Sequence, residues 1–436
     1  MPERFKQLSS CECATAAVLF ALIAAGSTGL AGPAAKKTEA YGLDEWMADQ
    51  HFTGEWLGTR EVLADRGLEL EGRWRGVYYG VLASENGPTG FFDQELALCA
   101  TVDFRKLTSS AALQGLTGFI EGRWRDPAAE DNPNEAVQAS PMFNPSPYES
   151  GVGWRLVSFG LRYRVPLIAG RPDSLTLTGG WLRPVREFLT QPLSLNFLNT
   201  SIQSAKGLGG NIPFSSSFST WGGTIEVKPL DWQYTKVGLF MSYPEATFGE
   251  NHGLMMRGYP TDPSRNSEFV MAETGLTPQI GPDKLPGKYA FGGYFYGEND
   301  PETGGSKYGF YWQADQMLYR EHAADAPSPA EGLRFFSMLA FAPPYNNRWP
   351  LYAQAGLVYE GLIPTRNKDF AQVALAAGRE ANIPDKTGTL VLEGGYRLQI
   401  SRWAFVQPYA QYLAQPDGGS AVADAVLVGV FAGLNF

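Results

Sequence analysis

Guanidinium and carboxylate groups recur on alternate positions of several short segments, and that spacing decides what chemistry they could do. Arg73 and Arg75 share a parity with Glu71, and Arg123 and Arg125 share one with Glu121. Arg162 stands with Arg164, and Arg397 with Glu393. Residues two apart in an extended chain point to the same side, so each segment presents a row of charged donors and acceptors. Such a row can replace the water around a polar solute and set a field along its path. Glu71 and Glu121 also invite a glycosidase reading with two carboxylates, but nothing else supports hydrolysis. His51, His252 and His322 are far apart and lack ligand spacing, and Cys99 is the only cysteine beyond an N-terminal leader. No catalytic residue, structural metal or cofactor is expected, and one mature thiol permits no intrachain disulfide.

The elements that must hold these rows follow from their other face. Opposite the charges run Leu68, Leu70, Gly72 and Trp74, then Ile120, Gly122 and Trp124. The pattern returns in Val157, Phe159, Leu161, Tyr163 and Val165, in Leu175, Leu177, Gly179 and Trp181, and in Leu390, Leu392, Gly394, Tyr396, Leu398 and Ile400. Period-two alternation of this kind predicts strands with one apolar and one wet face. A soluble β-sandwich would alternate too. The segments run to about ten residues, however, which is what a tilted strand needs to cross a bilayer, whereas ordinary strands average about five or six. Trp and Tyr often stand at segment ends, as in an aromatic girdle. The chain closes with the strand-like Val426 to Phe436 and a terminal phenylalanine, a typical ending for outer-membrane barrels.

Bulk composition agrees. Charged residues are 18%, below the roughly 25% of soluble domains, yet the mean hydropathy is only -0.20. A barrel reconciles the two numbers, because lipid-facing and lumen-facing residues average out. A net charge of -10 argues against nucleic acid as a partner. Arg4 and Lys6 precede an apolar run from Ala14 to Ala25 and a small-residue stretch, which predicts an export leader over 1–31 with cleavage near Ala31 to Ala35. Residues 32–66 read as a short helical segment on the periplasmic side, including Thr59 to Arg66 closed by Gly67. From 67 to 436 the expectation is an all-β, transmembrane antiparallel barrel, and its length fits about sixteen strands of ~10 residues. A barrel of that size encloses water.

At this point the sequence resembles the carbohydrate-selective porins of the OprB type. The resemblance begins with Thr53-Gly54-Glu55-Trp56-Leu57-Gly58-Thr59-Arg60 and Leu63 to Leu68, where Glu55 and Leu57 depart from the usual Asp and Gly. It continues through Thr101 to Leu107, Leu285 to Tyr294 and Tyr308 to Gln316. Gly356 to Asp369 is the most specific block, and Gln407 to Leu413 leads into the closing strand. The stretch from Asp126 to Ser150 has no clear counterpart. The resemblance implies an outer-membrane porin for passive diffusion of mono- and small oligosaccharides, a monomer or homotrimer, recognised by the barrel-assembly machinery through Phe436. On this reading Arg73, Arg75, Glu121, Arg123, Arg125, Arg162, Arg164, Glu393 and Arg397 line the pore. The alternatives are a porin of other or broad selectivity, a barrel enzyme, and a secreted sugar-binding sandwich.

Overall fold

Alternating residues form strands here because each row meets its own solvent. A computed structural model describes residues 43–126, 133–148, 153–189, 191–203, 210–212, 219–242, 267–297, 306–322, 330–381 and 387–436. The expected leader over 1–31 and its cleavage zone lie outside the described residues. The strands are β1 (Leu68–Ala83), β2 (Thr89–Asp103), β3 (Leu116–Asp126), β4 (Gly153–Val165), β5 (Leu175–Leu182), β6 (Thr220–Leu230), β7 (Gln233–Ser242), β8 (Ser267–Leu276) and β9 (Gln279–Ile280). They continue as β10 (Leu285–Tyr296), β11 (Lys307–Arg320), β12 (Gly332–Phe341), β13 (Leu351–Glu360), β14 (Phe370–Arg379), β15 (Thr389–Gln399), β16 (Ala404–Ala414) and β17 (Ala425–Asn435).

β1 pairs antiparallel with β2 on one side and with β17 on the other, so the sheet closes on itself. β9 is a two-residue ladder on β10 inside a turn. The other strands make a closed barrel of sixteen antiparallel staves, as the length predicted. Closure removes the edges that an open sheet would leave unpaired. One mouth carries the N-terminal segment, the C-terminus and turns as short as 231–232. The opposite mouth carries the longer described connecting segments, 133–148 and 191–203, the asymmetry of outer-membrane barrels.

Side-chain parity follows the sequence reading in β1, β3, β5 and β15. Tyr78, Leu177, Leu392 and Val428 are exposed on the outer wall, among many large apolar side chains around the barrel. A soluble protein rarely exposes so continuous an apolar surface. The reading fails in part of β4. The ladder pairs Glu121 with Ser158 but Gly122 with Leu156, which leaves Val157 as an extra residue. This β-bulge breaks the period. Val157 is buried, not lipid-facing, and Arg155 comes opposite Arg123 on the inner side.

The N-terminal segment clasps the terminal mouth. A helix spans Leu43–Ala48 and another Thr59–Asp65, the second followed by Gly67 at φ +88°. A Cβ at Gly67 would stand 2.6 Å from the Asp103 carbonyl oxygen and 2.8 Å from Lys106 Cβ, so only glycine fits this turn into β1. Trp46 packs on Trp403 at 4.4 Å between ring centroids, and Phe52 lies edge-on to Phe436 at 5.8 Å. Trp403 Nε1 donates to the Trp46 carbonyl (2.9 Å), and the Phe52 N–H donates to that of Asn435 (2.8 Å).

The apolar core sits inside the barrel. Residues 133–148, 183–189 and 191–203 fold inward from the long-loop mouth and bury Phe143, Phe188, Leu193, Phe197 and Ile202 against inward-facing Phe240, Phe269, Phe336 and Tyr352. Each such side chain contributes about 1.5–3 kcal/mol on burial. The stretch Asp126 to Ser150, which the resemblance left unassigned, thus holds one of the described segments that narrow the lumen.

Candidate permeation site

The inward segments are fastened by inner-wall polar groups. Glu393 on β15 accepts the N–H groups of Leu198 (2.8 Å) and Asn199 (2.7 Å), and Gln411 Nε2 donates to the same carboxylate (3.2 Å). Gln191 Nε2 donates to the carbonyls of Ala314 (2.9 Å) and Ser337 (3.0 Å). Gln372 and Gln407 donate to the Asn196 carbonyl at 2.9 and 3.0 Å. A buried backbone N–H left without an acceptor costs about 1–3 kcal/mol, so these side chains hold the segment at a defined height in the lumen.

Between the fastened segment and the wall formed by β15, β16, β17, β1, β2 and β3 lies a cavity of about 370 Å³. Arg73, Arg75, Arg123, Arg125 and Arg397 reach it from the wall, and Arg183 and Arg186 from the inward segment. Glu95, Tyr148, Asn196, Phe405 and Phe431 also line it. Glu121 ties the two sides together. It pairs with Arg73 (2.9 Å), with Arg123 (2.6 Å) and, at the start of the inward segment, with Arg183 (2.6 Å). Glu95 pairs with Arg123 (3.2 Å) and Arg125 (2.7 Å). Burial lowers the pKa of Arg183 from the usual arginine range, neighbouring Arg123 adds to that, and Glu121 offsets part of it. The arrangement leaves guanidinium groups in excess over carboxylates, with aromatic faces between them.

Five of the residues expected to line the pore, Arg73, Arg75, Arg123, Arg125 and Arg397, meet at this cavity, and Glu121 lies directly against it through its arginine partners. Three do not. Arg162 donates weakly to Thr178 Oγ1 (3.4 Å) and lies over Phe119 (5.6 Å), while Arg164 is exposed; both sit toward the terminal mouth. Glu393 points inward but is wholly buried beneath the loop it holds, so it touches no water-filled space. Sequence reasoning missed Glu95, Arg183 and Arg186. Glu95 alternates within β2 and carried a usable signal, but Arg183 and Arg186 lie in a loop, where no period operates. His51 and His322 each stand beside carboxylates at the terminal mouth, His51 Nδ1 3.3 Å from Glu55 and His322 Nε2 3.0 Å from Glu331, away from the cavity.

Comparison with known proteins adds the remaining information. The family profile described as "Carbohydrate-selective porin, OprB family" matches residues 131–300 and 295–436. The chain belongs to the OprB family of carbohydrate-selective porins. Porin B of Pseudomonas aeruginosa is 23% identical to this porin over 461 aligned positions, covering 95% of this chain and 96% of the relative. A high-pH structure of Pseudomonas putida OprB superposes with a TM-score of 0.78 at 20% identity, over 91% of this chain and all (100%) of that one. A low-pH structure of Pseudomonas putida OprB gives 0.56 at 17% identity, over 89% and 99%. At these identities the structures speak to the fold, the closed antiparallel barrel. As an OprB-family porin, the protein is a carbohydrate-selective transporter of the bacterial outer membrane.

Proposed function

We propose that mono- and small oligosaccharides cross this porin passively through the arginine-lined cavity, which acts as its constriction. The observation that carries this reading is the Glu121 bridge between wall residues Arg73 and Arg123 and loop residue Arg183, which fixes a cluster of guanidinium groups at the edge of the cavity. Its donors and acceptors can replace water around a polyol, and the buried Phe405 and Phe431 rings back the guanidinium groups that present them. With Glu95 and Glu121 held in ion pairs, the site orients solutes and performs no hydrolysis. Export through the 1–31 leader and recognition of the strand ending at Phe436 by the barrel-assembly machinery complete the reading, with the barrel working as a monomer or homotrimer. Liposomes carrying the protein should swell in glucose and in a maltose-type disaccharide. Sugar should also block single-channel current in the parent and block it differently in Arg123→Ala. Swelling without any sugar-dependent block in either protein would take the constriction away from this cavity.

A further inference from the structure

We infer that the cavity holds a subsite for the carboxylate of a sugar acid, formed by Arg75 and Arg397, so that hexuronate-type sugars interact more strongly than neutral ones. The inference rests on the cavity being the constriction. Its first support is the uneven distribution of charge. Glu95 and Glu121 are drawn to the β2–β3 side, where Arg73, Arg123, Arg125 and Arg183 engage them. On the β15–β17 side the partners are neutral. Arg75 Nη1 donates to the carbonyls of Trp74 (2.8 Å) and Leu434 (2.9 Å), and its Nη2 donates to Asn435 Oδ1 (2.9 Å). Arg397 Nε donates to Gln407 Oε1 (2.8 Å). Among the described residues neither arginine has a carboxylate within salt-bridge distance, and no acceptor is engaged by the Nη groups of Arg397.

The two guanidinium groups also share one ring. Arg75 lies 5.2 Å and Arg397 4.1 Å from the centre of the same ring, Phe405, and Arg397 lies 5.8 Å from Phe431. Gly433 makes room for this arrangement. It pairs in register with Arg75 on β1 and with Phe405 on β16. A Cβ there would strike the Phe405 ring and come 2.9 Å from Arg75 Nη1. Two guanidinium groups packed on one aromatic ring, both with neutral partners and one, Arg397, with its Nη fork unengaged, form a receptor for a planar anion. Asn196, from the inward segment, lines the same cavity and brings a side-chain amide able to serve hydroxyl groups. A carboxylate attached to a polyol matches both halves.

The test is current block in planar bilayers by glucuronate, glucose and acetate, on the parent, on the double variant Arg75→Gln/Arg397→Gln, and on Arg397→Lys. In the parent, glucuronate should block at roughly a tenth of the concentration that glucose requires, as charge-assisted hydrogen bonds imply. In the double variant the two concentrations should converge. Arg397→Lys keeps the charge but loses the fork, and should lose most of the preference while the pore keeps its ion selectivity; it also serves if the double variant fails to insert. Equal block by glucuronate and glucose in the parent overturns the inference and leaves the constriction standing. Acetate blocking as well as glucuronate overturns it in favour of a plain anion site. Block by neither sugar removes both the inference and the reading beneath it.

Discussion

Glu393 on β15 accepts the backbone N–H of Asn199 at 2.7 Å, joining the barrel wall to the segment that narrows it. A wall carboxylate thereby sets the height of a loop that it meets only through the lumen. Removing the side chain leaves the N–H groups of Leu198 and Asn199 buried without acceptors. Glu393→Ala should free the loop at a cost of about 1–3 kcal/mol to its docking. Single-channel conductance should rise and become noisier, while heat-modifiable migration on a gel persists because the strand ladders are untouched. Unchanged conductance would mean the other anchors suffice.

The arginines should rank by place. Arg123→Ala removes the one cation that serves both Glu95 and Glu121 and weakens the positive field at both carboxylates, so reversal potentials should shift away from anions. Arg73→Ala should do less, because Glu121 keeps Arg123 and Arg183. Arg162→Ala, out at the terminal mouth, should do least. Reversal potentials in a salt gradient check the order, and an effect of Arg162→Ala equal to that of Arg123→Ala would contradict the placement.

Leu392 faces outward near the middle of β15, opposite Leu375 on β14. Leu392→Arg should destabilise the inserted barrel by about 2–4 kcal/mol, the cost of a guanidinium near the bilayer midplane. Urea titration of the protein folded into liposomes would measure it.

The aromatic clasp should matter for the closing strand. Deleting Phe436 removes the ring that Phe52 meets and the N–H that donates to the Gly72 carbonyl (2.7 Å). Assembly into the outer membrane should fall. Phe52→Ala should leave assembly intact and lower the temperature of heat modification, separating recognition of the end from its later packing.

Asp369, in the turn before β14, accepts from Arg366 Nε (2.7 Å), the Gln399 N–H (2.8 Å) and the Tyr396 hydroxyl (3.1 Å). Burial pushes its pKa up, but these hydrogen bonds outweigh it and hold the carboxyl below its usual 3.8. A depressed carboxyl pKa stabilises the fold above the unfolded value, and that stability is lost as pH falls through the folded one. The heat-modification temperature of the parent should therefore fall more steeply below about pH 4 than that of Asp369→Asn. Parallel curves would remove Asp369 as the source.

What the sequence could and could not disclose follows from these residues. Alternation assigns a side wherever a strand has one solvent per face, which is why Arg73, Arg123 and Leu392 were legible. It assigns no cover, so Glu393 read as wet when a loop lies over it. It breaks at Val157, where one added residue shifts the period and hides Arg155. It has nothing to say about Arg183 and Arg186, which come to the cavity by tertiary folding alone. The block Gly356 to Asp369, the most specific part of the resemblance, encodes the turn clasped by Arg366 and Asp369 and not the pore.

The anchors of the inward segment also carry a temporal consequence. Glu393 lies 195 and 194 positions along the chain from Leu198 and Asn199, and Gln411 lies 266 from Pro145, which they hold. Contacts of such sequence separation form late, after shorter loops have closed. The segment can dock only once β15 and β16 stand beside it, so the width of the pore is fixed by wall residues that come long after the loop they hold in the chain.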